Sequence, residues 1–197
     1  MLGISKDNLI YGVGYMGVGM YSSRINGDLV GSYKAWKSML QRCYSPKVQE
    51  KYRTYVDCTV VEEWYNYQNF AEWYEINYKE GYHLDKDLLV VGNKVYSPVT
   101  CVFVPQNING FLTDCNNTRG VYAIGVSYTK GAIKKPYRSR VSSGEGKALH
   151  LGYYATEKEA HTVWVEKKLS LAKGYKEIMD SIDKTIYPNV CNMIKLK

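Results

Sequence analysis

Residues 137–142 read Tyr-Arg-Ser-Arg-Val-Ser, and their alternation decides how the C-terminal half folds. Side chains along a strand point to opposite faces in turn, so Tyr137, Ser139 and Val141 face one way and Arg138 and Arg140 the other. The first face suits packing on a helix. The second presents two guanidinium forks, each able to grip a phosphate or the O6/N7 edge of guanine with paired hydrogen bonds. Two more strands are expected beside it, over 125–128 (Gly-Val-Ser-Tyr) and 148–154 (Ala-Leu-His-Leu-Gly-Tyr-Tyr). A helix from about Thr156 to Ala172 should follow, with Thr156 as cap and Glu159 three residues on, as in a capping box. Ala160, Val163, Trp164, Lys167 and Leu171 supply its packing face, and Gly174 is expected to end it.

The charge pattern points to the same region. Between Arg119 and Tyr154 lie seven Lys or Arg residues and one acid, Glu145, so this segment holds +6 of the chain's net +7. Localised positive charge on a sheet suits a phosphate backbone.

At 197 residues, 45% of them hydrophobic, the chain can build one ordinary domain or two small ones. Tyrosine dominates the aromatics, 20 against 3 Phe, which suits half-buried strands and wet interfaces. No run approaches the roughly 18 apolar residues of a membrane span. The N-terminus lacks the basic and apolar regions of a secretory signal. A cytoplasmic protein is therefore expected, in the host cytoplasm if phage-encoded, with no membrane partner. The five cysteines form no C-x-x-C pair and read as reduced, mostly buried thiols.

Gly12-x-Gly14 and Gly17-x-Gly19, in a glycine-rich N-terminal hairpin, lack the Lys-Ser/Thr and strand-helix frame of a phosphate loop, so they read as structural turns. Tyr33, Trp36, Met39, Leu40 and Cys43 recur at three and four, predicting an amphipathic helix that ends near Ser45-Pro46. A short strand around 55–61 and a helix around 67–78 come next. Residues 82–112 read as strand, Gly92-Asn93 turn, strand and helix, with Pro105 in the first helical turn. The polar run 115–118 is the expected linker.

Two resemblances follow from these residues. Gly-Val-Ser-Tyr at 125–128, Tyr-Arg-Ser-Arg-Val at 137–141, His-Leu-Gly-Tyr-Tyr-Ala-Thr at 150–156 and Glu-Lys-Glu-Ala-His at 157–161 resemble the ethylene-response-factor type of DNA-binding domain, in its phage and bacterial form. The likeness covers 119–175 and implies a three-stranded antiparallel sheet in the major groove of double-stranded DNA, with one helix behind it. It implies that Tyr128, Arg138, Arg140, Lys147 and His150 sit at the DNA. Lys134 and Lys135 lie in a loop over 130–136 longer than the family's usual turn, which either adds phosphate contacts or shifts the strand register.

His83-Leu84-Asp85-Lys86-Asp87, with Gly92-Asn93, Tyr96-Ser97-Pro98, Cys101-Val102-Phe103-Val104 and Gln106-Asn107-Ile108-Asn109, is similar to the metal-binding core of phage HNH endonucleases. With the 33–43 helix, this likeness covers about 33–111. Such a core needs ligands for one divalent metal and a histidine that activates water. Matching by order puts Asp85 at the family's first aspartate but Lys86 at its histidine, and a lysine flanked by Asp85 and Asp87 is a poor base. His83 shares strand parity with Asp85 and could substitute. Asp85, Asp87, Asn107 and Asn109 are the metal ligands if the centre is active, with Mg²⁺ or another divalent ion; otherwise no cofactor is called for.

The expected fold is α+β: an HNH-like domain containing a ββα element over 1–114, a linker over 115–118, a three-stranded antiparallel sheet packed on one helix over 119–175, and a tail over 176–197. The leading functional reading is a phage-type DNA binder with a degenerate nuclease core. The alternatives are an active metal-dependent endonuclease or nickase using His83 and Asp85, and a phage protein that binds a host protein or a small nucleotide.

Overall fold

A computed structural model of the protein describes residues 9–112, 120–131, 134–142 and 148–197. The chain divides into two units, Met1–Phe103 and Val104–Lys197. Helices mix with small, mainly antiparallel sheets, so the fold class is α+β. The 115–118 linker lies outside the described residues.

The glycine-rich start of the first unit is a packed turn. A Cβ at Gly14 would overlap Leu40. Gln68 ties the segment down: its Oε1 accepts from Tyr21 N at 2.9 Å, and its Nε2 donates to Met16 O at 3.1 Å and Tyr21 O at 3.0 Å. Strands β1 (Arg24–Ile25) and β2 (Asp28–Leu29) form a hairpin. Asn26 and Gly27 turn it with φ of 52° and 89°, the backbone that a two-residue Asn-Gly hairpin requires.

Helix α1 (Gly31–Tyr44) buries Trp36, Met39, Leu40 and Cys43 on one face, as the spacing predicts. Helix α2 (Pro46–Lys51) starts on a proline, whose missing donor costs nothing there. Strand β3 (Thr59–Val60) leads to α3 (Tyr67–Asn77), where Asn66 Oδ1 caps Gln68 N at 3.0 Å. Trp36 Nε1 donates to Trp64 O at 2.6 Å, which locks α1 to the turn before α3. Strand β4 (Tyr82–Asp85) follows, then β5 (Val95–Tyr96), which pairs in parallel with β3. Strand β6 (Val102–Pro105) pairs with β4.

The second unit opens with α4 (Gln106–Phe111), for which Pro105 is the N-cap rather than a first-turn residue. This helix was expected in the N-terminal domain. Its buried Phe111 instead meets Tyr175, ring centroids 5.3 Å apart. Strands β7 (Val126–Tyr128), β8 (Tyr137–Ser142) and β9 (Ala148–Tyr154) form one antiparallel sheet in that order. Helix α5 (Glu157–Gly174) packs on it and begins with the full capping box: Thr156 Oγ1 accepts from Glu159 N and Glu159 Oε2 from Thr156 N, both at 3.2 Å.

The buried stripe of α5 is Ala160, Trp164, Lys168 and Ala172, so the charged residue that goes inside is Lys168 rather than Lys167. Gly125, at φ +79°, sits so close to Trp164 that a Cβ would overlap its ring. The stretch expected as a tail is two helices, α6 (Lys176–Ile182) and α7 (Ile186–Lys195). Met179, Ile186, Val190 and Ile194 are wholly buried there, each contributing roughly 1.5–3 kcal/mol.

Candidate nucleic-acid interface

The three-stranded sheet has a helix face and an open face, set by its register. Val126 pairs with Ser139 and Ser139 with Gly152, and Ser139 and Val141 are buried toward α5. The next row out is Ser127, Arg138 and Tyr153, followed by Arg140 with His150. Arg140 is exposed; Arg138 is half-buried. Arg138 Nε is shielded from solvent and has no hydrogen-bond partner among the described residues.

A register shift between Ser139 and Arg140 leaves Leu151 as an extra residue in β9, with Gly152 at φ +127°. Such a bulge resets strand parity. It brings His150 and Tyr153, three residues apart, to the same face, with ring centroids 5.0 Å apart. Tyr153 thus joins the open face, 43% exposed beside Arg138 in register. Strict alternation counted back from His150 puts it on the other side; the glycine before it was the only signal.

Tyr128 is 48% exposed. It pairs with Tyr137 and shares the face of Val126, opposite Arg138. Its ring stacks on Tyr122 at 6.0 Å and meets Tyr137 at 5.5 Å, so it belongs to an aromatic cluster at the sheet's end. Lys130, Lys134 and Lys135 are exposed in the β7–β8 connection, which Thr129 N closes by donating to Pro136 O at 2.8 Å. Lys147 lies outside the described residues. Among the described residues, no carboxylate comes within 4.0 Å of Lys130, Lys134, Lys135, Arg138 or Arg140. The sequence from Val104 onward holds 15 basic residues against 8 acidic ones, the whole net charge of the chain.

His161 does other work. Its Nδ1 lies 3.0 Å from Ile124 O, and its ring stacks on Trp164 at 5.6 Å, a wedge between α5 and the chain entering β7.

In the first unit, the stretch from Asp85 to Asn93 forms a braced loop. Asp85 Oδ1 accepts from Asp87 N at 2.7 Å and Leu88 N at 2.9 Å, a carboxylate closing a turn. Burial nevertheless holds its pKa above the ordinary aspartate value, the two N–H groups offsetting only part of the desolvation. Lys86 is 5% exposed. Its ammonium donates to Asp87 Oδ1 at 2.6 Å and to Asn93 O at 2.8 Å. Asn93 Nδ2 donates to Lys86 O and Val95 O, both at 2.7 Å, stitching the two ends of the loop together.

His83 points to solvent at an exposed strand position. Asn107 is exposed and accepts from Ile108 N at 2.9 Å, and Asn109 is half-buried; both belong to the second unit. A divalent ion finds a poor donor set around Asp85: one of its oxygens is committed to two backbone donors, and the Asp87 carboxylate is held by a buried ammonium. Nearby thiols are insulated, since burial pushes Cys43 and Cys101 up to about 12, far from thiolate chemistry.

Set beside models of known protein families, curated proteins and solved structures, the chain matches none.

Proposed function

We propose that the protein binds duplex DNA with the open face of β7–β8–β9, through Arg138, Arg140, His150 and Tyr153 and the lysines of the β7–β8 connection. The observation that carries this reading is the pair of β8 arginines turned away from the helix and untouched by any described carboxylate. The resemblance of 119–175 to sheet-type DNA-binding domains supports it. Phosphate neutralisation supplies the affinity and Arg138 the base-edge or backbone fork. The stretch around Asp85 is a scaffold on this reading, its acids spent on a turn and an ion pair.

The test is duplex binding by gel shift at several salt concentrations, comparing the parent with Arg138→Ala/Arg140→Ala. The double variant should bind less tightly, and its salt slope should fall by about 0.9 for each lost phosphate contact. Parental affinity and slope in the double variant would refute the assignment.

A further inference from the structure

The first unit is neutral, with 11 basic and 11 acidic residues up to Phe103, but its charges are segregated along the chain. From Gly31 to Arg53 six bases (Lys34, Lys37, Arg42, Lys47, Lys51 and Arg53) meet one acid, Glu50, whereas residues 54–103 hold eight acids and three bases.

Five of the six bases are exposed, Arg42 alone being half-buried. Lys34, Lys37 and Gln41 recur at three and four on the exposed side of α1, opposite the buried Trp36, Leu40 and Cys43. Lys47 is exposed in the first turn of α2, and Arg53 just beyond that helix. Among the described residues, no carboxylate lies within 4.0 Å of Lys34, Lys37, Lys47 or Arg53. Tyrosines interleave with them: the Arg42 guanidinium lies 5.6 Å from the Tyr55 ring centroid and the Lys51 ammonium 5.2 Å from that of Tyr52.

Helix stability does not explain this arrangement. Helix α1 contains no acid, and its N-cap, Val30, makes no side-chain bond. Lys34 and Lys37, three residues apart, repel each other, and Lys34 closes the first turn, near the positive end of the macrodipole. The balancing acids lie elsewhere in the sequence.

We infer that the exposed lysines of α1 and α2, Lys34, Lys37 and Lys47, form a second contact for the phosphate backbone of duplex DNA. This rests on the DNA-binding reading of the sheet and extends it to the first unit. Lysine ammonium groups act as point charges, so the surface adds affinity and footprint without base preference.

The full-length chain is compared with Lys34→Ala/Lys37→Ala/Lys47→Ala and with a charge-matched triple on exposed helix and loop positions, Lys158→Ala/Lys173→Ala/Lys184→Ala. Affinity for a mixed-sequence duplex is followed from 50 to 200 mM salt. Three lost phosphate contacts should lower the salt slope by about 2.7, so the first triple's fall in affinity over that range is roughly 40-fold smaller than the parent's. The second triple should keep the parental slope.

A parental slope in the first triple, or an equal loss in the second, overturns the inference whatever the Arg138/Arg140 pair does. If that pair proves silent while the first triple loses slope, the sheet assignment falls and the helix surface stands. No duplex binding by the parent overturns both.

Discussion

Replacing Lys168 by methionine should stabilise the second unit at neutral pH. The lysine is 5% exposed in the middle of the buried stripe of α5, its Nζ 3.6 Å from the Phe111 centroid and 3.4 Å from Ser142 O. The cavity it lines, with Phe111, Trp164 and Ile194 among the walls, is about 10 Å³, room for at most about one water. Burial, aided by the charge of Lys197, pulls its pKa down from 10.5 to about 8. At 1.36 kcal/mol per unit, that depression amounts to about 3 kcal/mol against folding when the group is charged. The cation–π contact with Phe111 returns up to about 2 kcal/mol, leaving a gain of about 1–2 kcal/mol for Lys168→Met at pH 7.

The sign in pH follows from linkage. Between about 8 and 10.5 the unfolded chain holds the proton and the folded one does not, so the parent gains stability as pH rises and loses it as pH falls through 8. Urea unfolding of both chains at pH 7 and pH 10 measures this. Subtracting the methionine variant's stability removes the tyrosines that titrate in the same range. A methionine variant less stable than the parent at pH 7, or a difference that does not shrink toward pH 10, would show that Lys168 is solvated or paired rather than buried at a cost.

Two further substitutions probe the site and its support. Gly125→Ala forces a side chain onto Trp164 at φ +79° and should cost about 2–4 kcal/mol in denaturant unfolding of the second unit; a loss below about 0.5 kcal/mol contradicts the packing. Asp85→Asn keeps an acceptor for Asp87 N and Leu88 N while removing a buried charge. Because the folded pKa of Asp85 is raised, its contribution is complete below about 3.8 and is lost as pH rises through the folded value. The variant should therefore equal or exceed the parent in stability at pH 7. It should also leave supercoiled plasmid with Mg²⁺ as the parent leaves it; metal-dependent nicking lost on this change would instead make Asp85 catalytic.

The sequence reveals most where local chemistry is self-sufficient. Thr156 and Glu159 announce the start of α5 because a capping box involves only near neighbours, and the period-2 pattern of 137–142 fixes which β8 residues face α5. Long-range register is another matter. The bulge at Leu151, which turns Tyr153 outward, and the pairing that sends Tyr128 to the helix side depend on partner strands that no local window contains. Lys168 hides the true phase of α5, since a cation inside the apolar stripe shifts the apparent face by one residue. Helices α6 and α7 lie in the stretch expected as a tail, and α7 carries Pro188. At the third position of α7 its missing N–H costs nothing, and the Ile186, Val190, Ile194 spacing was the legible signal. Net charge concealed the lysines of α1–α2, because the acids of 54–103 cancel them in the sum.

The two β8 arginines differ in how they would engage an anion. Arg140 is exposed and must give up side-chain freedom on binding, at about 0.5–1.5 kcal/mol for an immobilised chain of this length. Arg138 is half-buried, with its Nε shielded and its backbone in register between Ser127 and Tyr153, so it has less freedom to lose. An Nε buried without an acceptor costs about 1–3 kcal/mol. On the DNA-binding reading proposed above, Arg138 would be the better suited to a base edge, and Arg140, with the connection lysines, to phosphates.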